Sequence, residues 1–294
     1  METPTADAES VLALDIGAIH TRALLFDVVD GQYRFLGASR VESTYGAPFY
    51  DISEGIYQAL IQLQQTTGHV FLAEGTLILP GRTDGSGIDQ LVLTFTAGPG
   101  IRVAVLGLLE DVSLESARRL AASTQSILVE SIGLNDGRKL DQQIDALIKA
   151  RPDLVLITGG TDQGATRSLV KMTDLLTIVL QLMPQDHLPE IIFAGNQAMQ
   201  KHITDVLSRH REIQVVSNLR PAIDHENLSP AQDALASAVT RIKSRQLGGL
   251  QSYASIASTE PLPSSQALGR LMRFLSHINN PEKTALAVDL GASH

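Results

Sequence analysis

Two segments near opposite ends of the chain share a pattern of residue types suited to binding phosphate or a metal ion. Residues 13–20 (ALDIGAIH) and 287–294 (AVDLGASH) each place an aspartate between apolar residues, and their aspartates, Asp15 and Asp289, are 289 − 15 = 274 residues apart. The glycine lets backbone N–H groups approach a phosphate closely, and the aspartate can hold hydrated Mg²⁺ or orient a water. The repeat predicts a phosphate-binding turn in each copy, with Asp15 and Asp289 as metal-binding residues. For either copy alone, the alternative is a plain strand and turn with one capping aspartate.

A glycine-rich segment in the middle of the chain is the second candidate site. Residues 159–166 (GGTDQGAT) match the spacing G-x-x-x-x-G, but Ala165 stands where a Walker A loop needs a lysine. This excludes a P-loop nucleotidase and leaves an anion or polar-ligand site at the start of a helix. Because Asp162 disfavours a strongly anionic ligand, we expect a hydroxyl or amide partner. The alternative is a glycine-rich turn that needs positive φ, with Thr166 capping the helix.

The ligand-binding residues predicted for this second site follow two strands: Gly159, Gly160, Thr161, Asp162, Gly164 and Asn196. Ligands of parallel sheets bind beyond the C-terminal strand ends. We therefore expect Asp162 and Asn196 to face one pocket, and Asp162→Ala to weaken binding with little loss of stability. Asn196 could equally cap the next helix, and Arg220, at another strand end, is more commonly a surface residue than a ligand. For His20 and His294 we favour a turn-packing role, and no histidine pair has metal-ligand spacing.

The elements that would position the first site begin with three antiparallel strands. An apolar run at 11–17 ends in glycine, and Asp30-Gly31 is a strong hairpin signal between the next two strands. The other strands predicted here cover about 20–28, 32–43, 69–79 and 90–96, and helical spacing predicts a helix at 52–65. Nearer the end of the chain, the predictions are a helix at 229–246, an exposed connection at 248–263, a helix at 264–278 and a buried strand at 284–291.

Strands and helices alternate after residue 97, which is typical of a parallel sheet wrapped by helices on both faces. The predicted strands lie near 101–108, 126–132, 153–158, 190–194 and 213–217. The predicted helices lie near 113–124, 139–150, 166–182 and 197–209.

Composition limits the classes of protein that remain. The chain has 294 residues, a net charge of 23 − 32 = −9 and no run of Lys or Arg, so a nucleic-acid partner is not expected. The absence of cysteine excludes disulfides and thiolate sites and fits a cytoplasmic protein. The acidic start is not a signal peptide, and no apolar stretch of about 18 residues predicts a membrane span.

The two aspartate turns resemble the phosphate loops of the ASKHA superfamily (actin, Hsp70 and sugar kinases), in which two similar domains each begin with such a loop. The segments 97–108 (AGPGIRVAVLGL), 151–164 (RPDLVLITGGTDQG) and 193–196 (FAGN) resemble the glutamate mutase L family (MutL/GlmL). That resemblance covers nearly the whole chain, and TGGTDQG at 158–164 is its most specific part. It implies an ATPase-like protein linked to adenosylcobalamin-dependent mutases as a chaperone or reactivator, with ATP and Mg²⁺ as cofactors.

The cofactor-binding residues that the resemblance implies are Asp15, Gly17, Thr21, Arg22, Asp289 and Gly291. The family's first loop has small hydroxyl residues and a lysine where this chain has Ala18, Ile19, His20 and Arg22. These exchanges predict weaker phosphate binding at that turn. The sequence also stops inside the second loop, before a second ASKHA domain, which indicates a truncated chain. We therefore expect the chain by itself to hydrolyse ATP negligibly.

The expected fold is α/β: an ASKHA (ribonuclease H-like) half-domain at 10–96 and 225–294, with an inserted doubly wound parallel-sheet domain at 97–224. The favoured function is an ATPase-like accessory protein of an adenosylcobalamin-dependent mutase, with an incomplete nucleotide site. The alternative is a non-catalytic ligand- or protein-binding module on an ASKHA scaffold. A sugar or acid kinase is disfavoured because no catalytic aspartate is identifiable near the insert. We also expect a homo-oligomer through the strand at 284–291, because an unpaired apolar strand seeks a partner.

Overall fold

The chain divides into two units. The computed structural model describes residues 9–164, 166–279 and 285–289. Unit 1 contains Met1–Pro99 and Lys243–His294, and unit 2 contains Gly100–Ile242. The sequence predicted that the inserted domain ends at residue 224, whereas unit 2 ends at Ile242. The residues between these two boundaries include the first part of the helix Ser229–Gln246.

Twelve strands, eight α-helices and three short 3₁₀ or π segments form the regular structure of the described residues. The strands are β1 (Val11–Ile16), β2 (His20–Val29), β3 (Gln32–Glu42), β4 (Leu72–Ala73), β5 (Thr76–Leu77), β6 (Gln90–Phe95), β7 (Ile101–Leu106), β8 (Ser126–Ile132), β9 (Leu154–Gly159), β10 (Glu190–Gly195), β11 (Ile213–Val215) and β12 (Leu262–Pro263). The helices are α1 (Ile52–Thr67), α2 (Glu115–Ala121), α3 (Leu140–Ala150), α4 (Arg167–Leu182), α5 (Gln200–Leu207), α6 (Ser229–Gln246), α7 (Leu250–Ile256) and α8 (Ser264–Asn279). None of these helices is both long and apolar enough to cross a membrane.

The sheet of unit 1 has the strand order β12-β6-β1-β2-β3. β1, β2 and β3 are antiparallel neighbours, as predicted, while β6 runs parallel to β1. Along β1 the side chains alternate, and Leu12, Leu14 and Ile16 are buried on one face. Helix α1 packs on that face, where Ser39 of β3 donates a hydrogen bond to the carbonyl of Ala59. The other face, which carries Asp15, is therefore the one that can present polar groups.

The sheet of unit 2 is parallel throughout, with the order β11-β10-β9-β7-β8. All residues of β9 and β10 are buried, which requires cover on both faces. One face is covered by α3, α4 and α5. The apolar side chains of these helices pack in one hydrophobic core with alternate residues of β7, β9 and β10. The strand order reverses between β7 and β9, so this is the point where such sheets bind ligands.

Three expected elements differ from those observed. The segment 69–79 forms only the short hairpin of β4 and β5, because Glu74 and Gly75 both have positive φ and turn the chain. The predicted connection at 248–263 contains α7 and β12, and β12 pairs with β6. The expected strand at 284–291 is wrong for residues 285–289, which form no regular structure, and its other residues lie outside the described ranges.

Candidate functional site

A row of polar side chains crosses the unit 1 sheet on the face opposite α1. The pairing register places Thr94 of β6, Asp15 of β1, Arg22 of β2 and Arg40 of β3 at the same level. Paired residues of neighbouring strands point to the same face of a sheet, so the four side chains stand side by side. We call these four residues the polar row.

Asp15 is held by donors from three elements. Its Oδ1 accepts hydrogen bonds from the hydroxyls of Thr94 at 2.9 Å and Ser264 at 3.2 Å, and its Oδ2 accepts one from Arg22 Nη1 at 3.1 Å. The Asp15 side chain is 27% exposed, and that of Arg22 is 52% exposed. Three donors on one carboxylate fix its orientation. The sequence predicted Asp15 and Arg22 as site residues, but Thr94 and Ser264 were missed because only the strand pairing brings them near.

The turn after β1 lies next to the polar row. The Gly17 N–H donates to the His20 carbonyl at 2.9 Å, and a Cβ on Gly17 would lie 2.7 Å from that oxygen. Glycine is therefore required by the close approach of the backbone. The N–H groups of Ala18 and Ile19 have no hydrogen-bond partner among the described residues. Two unpaired N–H groups beside a guanidinium are the ingredients of an anion site.

The other predicted cofactor residues do not join this group. Thr21 lies on the opposite face, fully buried, and a Cβ on Gly55 of α1 would lie 3.3 Å from its Oγ1. That hydroxyl has no hydrogen-bond partner in the part of the chain that the structure describes. Asp289 is exposed in an irregular segment, and Gly291 lies outside the described residues.

In unit 2 the structure brings Asp162 and Asn196 into one loop cluster, together with Asn218. Asp162 Oδ1 accepts from Asn218 Nδ2 at 2.9 Å and from the Gln197 N–H at 3.2 Å. Asn196 is fully buried, donates to the Gly164 carbonyl at 3.3 Å and caps a short 3₁₀ turn by accepting from the Ala198 N–H. These polar groups bind one another, so the geometry favours the structural interpretation of this loop.

The point between β7 and β9 is also filled by the protein's own groups. Gly159 has φ +117° and Gly160 has φ +70°, and Gly159 packs against Leu108, whose side chain is buried. The N–H groups of Leu108 and Leu109 both donate to Ser113 Oγ, at 3.0 and 2.9 Å. Ser113 thus occupies the donors that would otherwise face a ligand. Thr166 stands at the N-cap of α4, but its side chain makes no capping hydrogen bond.

Arg220 is enclosed by a structural network rather than lying free on the surface. Its side chain is only 16% exposed and donates to Ser116 Oγ at 2.8 Å and to Glu226 Oε1 at 3.2 Å. Burial alone raises the pKa of the Glu226 carboxyl, but hydrogen bonds from Ser116 and Arg119 outweigh that effect and lower it. The network joins α2 to the segment that follows β11.

Among the described residues, no group of three or more His, Cys, Asp or Glu side chains could hold a metal ion. A metal at the polar row would therefore rely on the single carboxylate of Asp15 and on ligands from outside the described chain. Mg²⁺ tolerates this arrangement because it keeps several waters and is commonly bound by one or two carboxylates plus phosphates of the ligand.

The sequence profile of the family described as "MutL protein" matches residues 11–293. The chain belongs to the MutL family. This is the glutamate mutase L family indicated by the sequence motifs, and the match includes both the polar row and the glycine-rich loop of unit 2. No curated protein matches the MutL chain significantly.

Several solved structures are distantly similar to this MutL chain. Nucleotide-free acetone carboxylase has 11% identity and a TM-score of 0.31, and the match covers 82% of this chain and 35% of that one. Nucleotide-free diol dehydratase-reactivating factor has 11% identity and a TM-score of 0.21, with 71% and 31% covered. A glycerol dehydratase reactivase has 15% identity and a TM-score of 0.20, with 53% and 28% covered. The MutL chain spans about a third of the length of these proteins.

In the MutL chain, Asp162→Ala is expected to destabilise the loop cluster rather than only weaken a ligand contact. The substitution removes one of the two acceptors of Asn218 Nδ2, which also donates to the Gly160 carbonyl, and it removes the acceptor of the Gln197 N–H. Asn218 is 5% exposed. Leaving a buried donor unpaired costs about 1–3 kcal/mol. Urea unfolding followed by circular dichroism measures this loss, with Asp84→Ala, in an exposed loop of unit 1, as the control. If Asp162→Ala has wild-type stability, the ligand-site interpretation of Asp162 regains support.

Proposed function

We propose that this chain is the nucleotide-binding part of an accessory protein that reactivates an adenosylcobalamin-dependent mutase. Membership of the MutL family supports the link to the mutase, through the role that the resemblance implies. The observation that carries the nucleotide is the Asp15–Arg22 pair beside the Gly17 turn. Acetone carboxylase and the two reactivases contribute no argument at their level of similarity.

The residues at the turn fit the phosphates of ATP. The N–H groups of Ala18 and Ile19, which have no partner in the described part of the chain, are available as donors. Gly17 has no side chain that could block a ligand at the turn. Arg22 adds a cationic fork suited to phosphate oxygens. Its bond to Asp15 holds the guanidinium close to the sheet surface.

Asp15 fits the role of a carboxylate that holds Mg²⁺ through water. Both of its oxygens already accept hydrogen bonds, so the carboxylate is oriented before any ligand arrives. A bound Mg²⁺ would supply positive charge that neutralises the phosphates. Asp289 and Gly291 stay predictions for a second phosphate loop.

Arg22→Gln is expected to weaken ATP binding about tenfold, the loss typical of one charge-assisted hydrogen bond. Isothermal titration of the full chain with Mg-ATP measures the change. Thr21→Val is a matched control: Thr21 is the neighbouring residue, faces α1, and has a hydroxyl without a partner among the described residues. The control should bind ATP with unchanged affinity.

A wild-type chain that does not bind ATP, or an Arg22→Gln variant that binds it equally well, would contradict the nucleotide part of the proposal. The mutase part has a separate test, in which the chain and Mg-ATP are added to an adenosylcobalamin-dependent mutase inactivated by turnover. The reactivating role is supported if mutase activity recovers and if the Arg22→Gln variant restores less of it than the wild-type chain. Recovery that is independent of ATP would favour the alternative, a non-catalytic binding module.

A further inference from the structure

Arg40 is a cation at the polar row that the sequence motifs did not identify. It lies directly opposite Arg22 in the pairing of β2 with β3. Like charges at directly opposed positions destabilise a sheet. Arg22 is neutralised by Asp15, whereas Arg40 has no carboxylate within 4.0 Å among the described residues. Within the row, two guanidinium groups therefore stand beside one carboxylate, although the chain as a whole has a net charge of −9.

The Arg40 guanidinium contacts the imidazole of His20, at the end of the Gly17 turn. Its Nη2 lies 2.9 Å from His20 Nε2 and 3.0 Å from His20 Nδ1, and His20 is the residue whose carbonyl closes that turn. Arg40 is exposed, so its remaining N–H groups can face solvent or a ligand. A guanidinium has five donors in a fixed fork, and the contact with His20 uses only one of its nitrogens.

We propose that Arg40 is a phosphate-binding residue, which contacts a second phosphoryl group of a di- or triphosphate whose first group lies at the Gly17 turn. The inference rests on the proposed function, because it places phosphate at the same turn. Two arginines on adjacent strands suit two successive phosphates better than one. A ligand with at least two phosphoryl groups would also remove the repulsion between Arg22 and Arg40. The chemistry is that of the polyphosphate itself, whether or not adenosine is attached.

The test is isothermal titration of the full chain with inorganic pyrophosphate and, separately, with ADP and ATP. Arg40→Gln is expected to weaken pyrophosphate and ATP binding about tenfold. Arg34→Gln is the matched control, because Arg34 is another exposed arginine of β3 but pairs with Asp27, away from the turn. The control should remain within twofold of wild type at the same salt concentration.

The outcomes separate this inference from the proposed function. If ATP binding depends on Arg22 but is unchanged in Arg40→Gln, this inference is overturned and the nucleotide site remains. If pyrophosphate binding depends on Arg40 while ATP does not bind, the inference is supported and the proposed binding of ATP is contradicted. If Arg34→Gln weakens binding as much as Arg40→Gln, the loss of any positive charge on β3 explains the effect, and the inference fails. If the wild-type chain binds none of the three ligands, both proposals are overturned.

Discussion

Gly159→Ala is expected to lower the free energy of unfolding by about 3–5 kcal/mol, because two separate costs add. Gly159 has φ +117°, a conformation that residues with a Cβ rarely adopt. The added Cβ would lie 2.8 Å from Leu108 Cγ and 3.0 Å from the Leu108 backbone nitrogen. The side chain of Leu108 is buried, and its backbone is fixed by Ser113, so neither can move away cheaply.

Urea unfolding of the full chain, followed by circular dichroism, measures this effect. Gly137→Ala is the control, since nothing lies within 4 Å of a Cβ at Gly137 and its φ is not positive. That variant should stay within about 0.5 kcal/mol of wild type. A Gly159→Ala protein with unchanged stability would show that the loop after β9 can shift, and that its fit against Leu108 is not fixed.

Lys243→Met is expected to destabilise unit 1 by about 2–4 kcal/mol. Lys243 is 1% exposed, and its Nζ donates to the carbonyls of Ala97 at 2.9 Å and Pro99 at 2.6 Å. Methionine keeps the length of the side chain but leaves both carbonyls without this donor. Relief of the buried ammonium's desolvation offsets part of that loss, so the net cost is below the sum for two carbonyls.

The comparison for Lys243→Met is Lys149→Met, at an exposed position of α3, which should change stability by less than about 0.5 kcal/mol. Thermal unfolding of the full chain gives both values. Equal melting temperatures for wild type and Lys243→Met would mean that removing the buried charge fully offsets the lost hydrogen bonds.

The sequence predicted two of the four residues of the polar row, Asp15 and Arg22, which lie close because β1, its turn and β2 are adjacent. A turn at 17–20 sets the pairing of Asp15 with Arg22, and the same alternation places Thr21 on the other face. The family resemblance grouped Thr21 with Arg22 because they are neighbours in sequence. Alternation in a strand is the physical reason why they are not neighbours in the site.

Arg40 was beyond the reach of local pattern because of an irregularity in the sheet. The Asp30-Gly31 hairpin begins with Val29 opposite Gln32, a register that would place Arg22 opposite Ser39. A shift between Leu25 and Phe26 moves the register by one residue and sets Arg22 opposite Arg40 instead. The contact of Ser264 with Asp15 was equally hidden, since it joins residues 264 − 15 = 249 positions apart.

In unit 2 the sequence predicted the strands and helices well and left two interpretations of the glycine-rich loop, a ligand site and a structural turn. Glycine and polar residues at a strand end are what a binding loop needs, and they are also what a tight, self-bonded turn needs. The hydrogen-bond partners distinguish the two cases, and here Asn218 binds Asp162 while Ser113 accepts from the N–H groups of Leu108 and Leu109, which favours the structural turn.

The pairing of β12 with β6 has a consequence for synthesis on the ribosome. Leu262 pairs with Thr94, so 262 − 94 = 168 residues must be added after Thr94 before the β6 edge acquires its neighbour. At roughly 5–20 residues per second, that edge waits on the order of ten seconds or more. Gly100–Ile242, by contrast, is a continuous stretch that emerges within the same interval. Synthesis of the later unit is therefore complete before β12 exists, and until then the first strands to leave the ribosome form a nascent sheet with an open edge at β6.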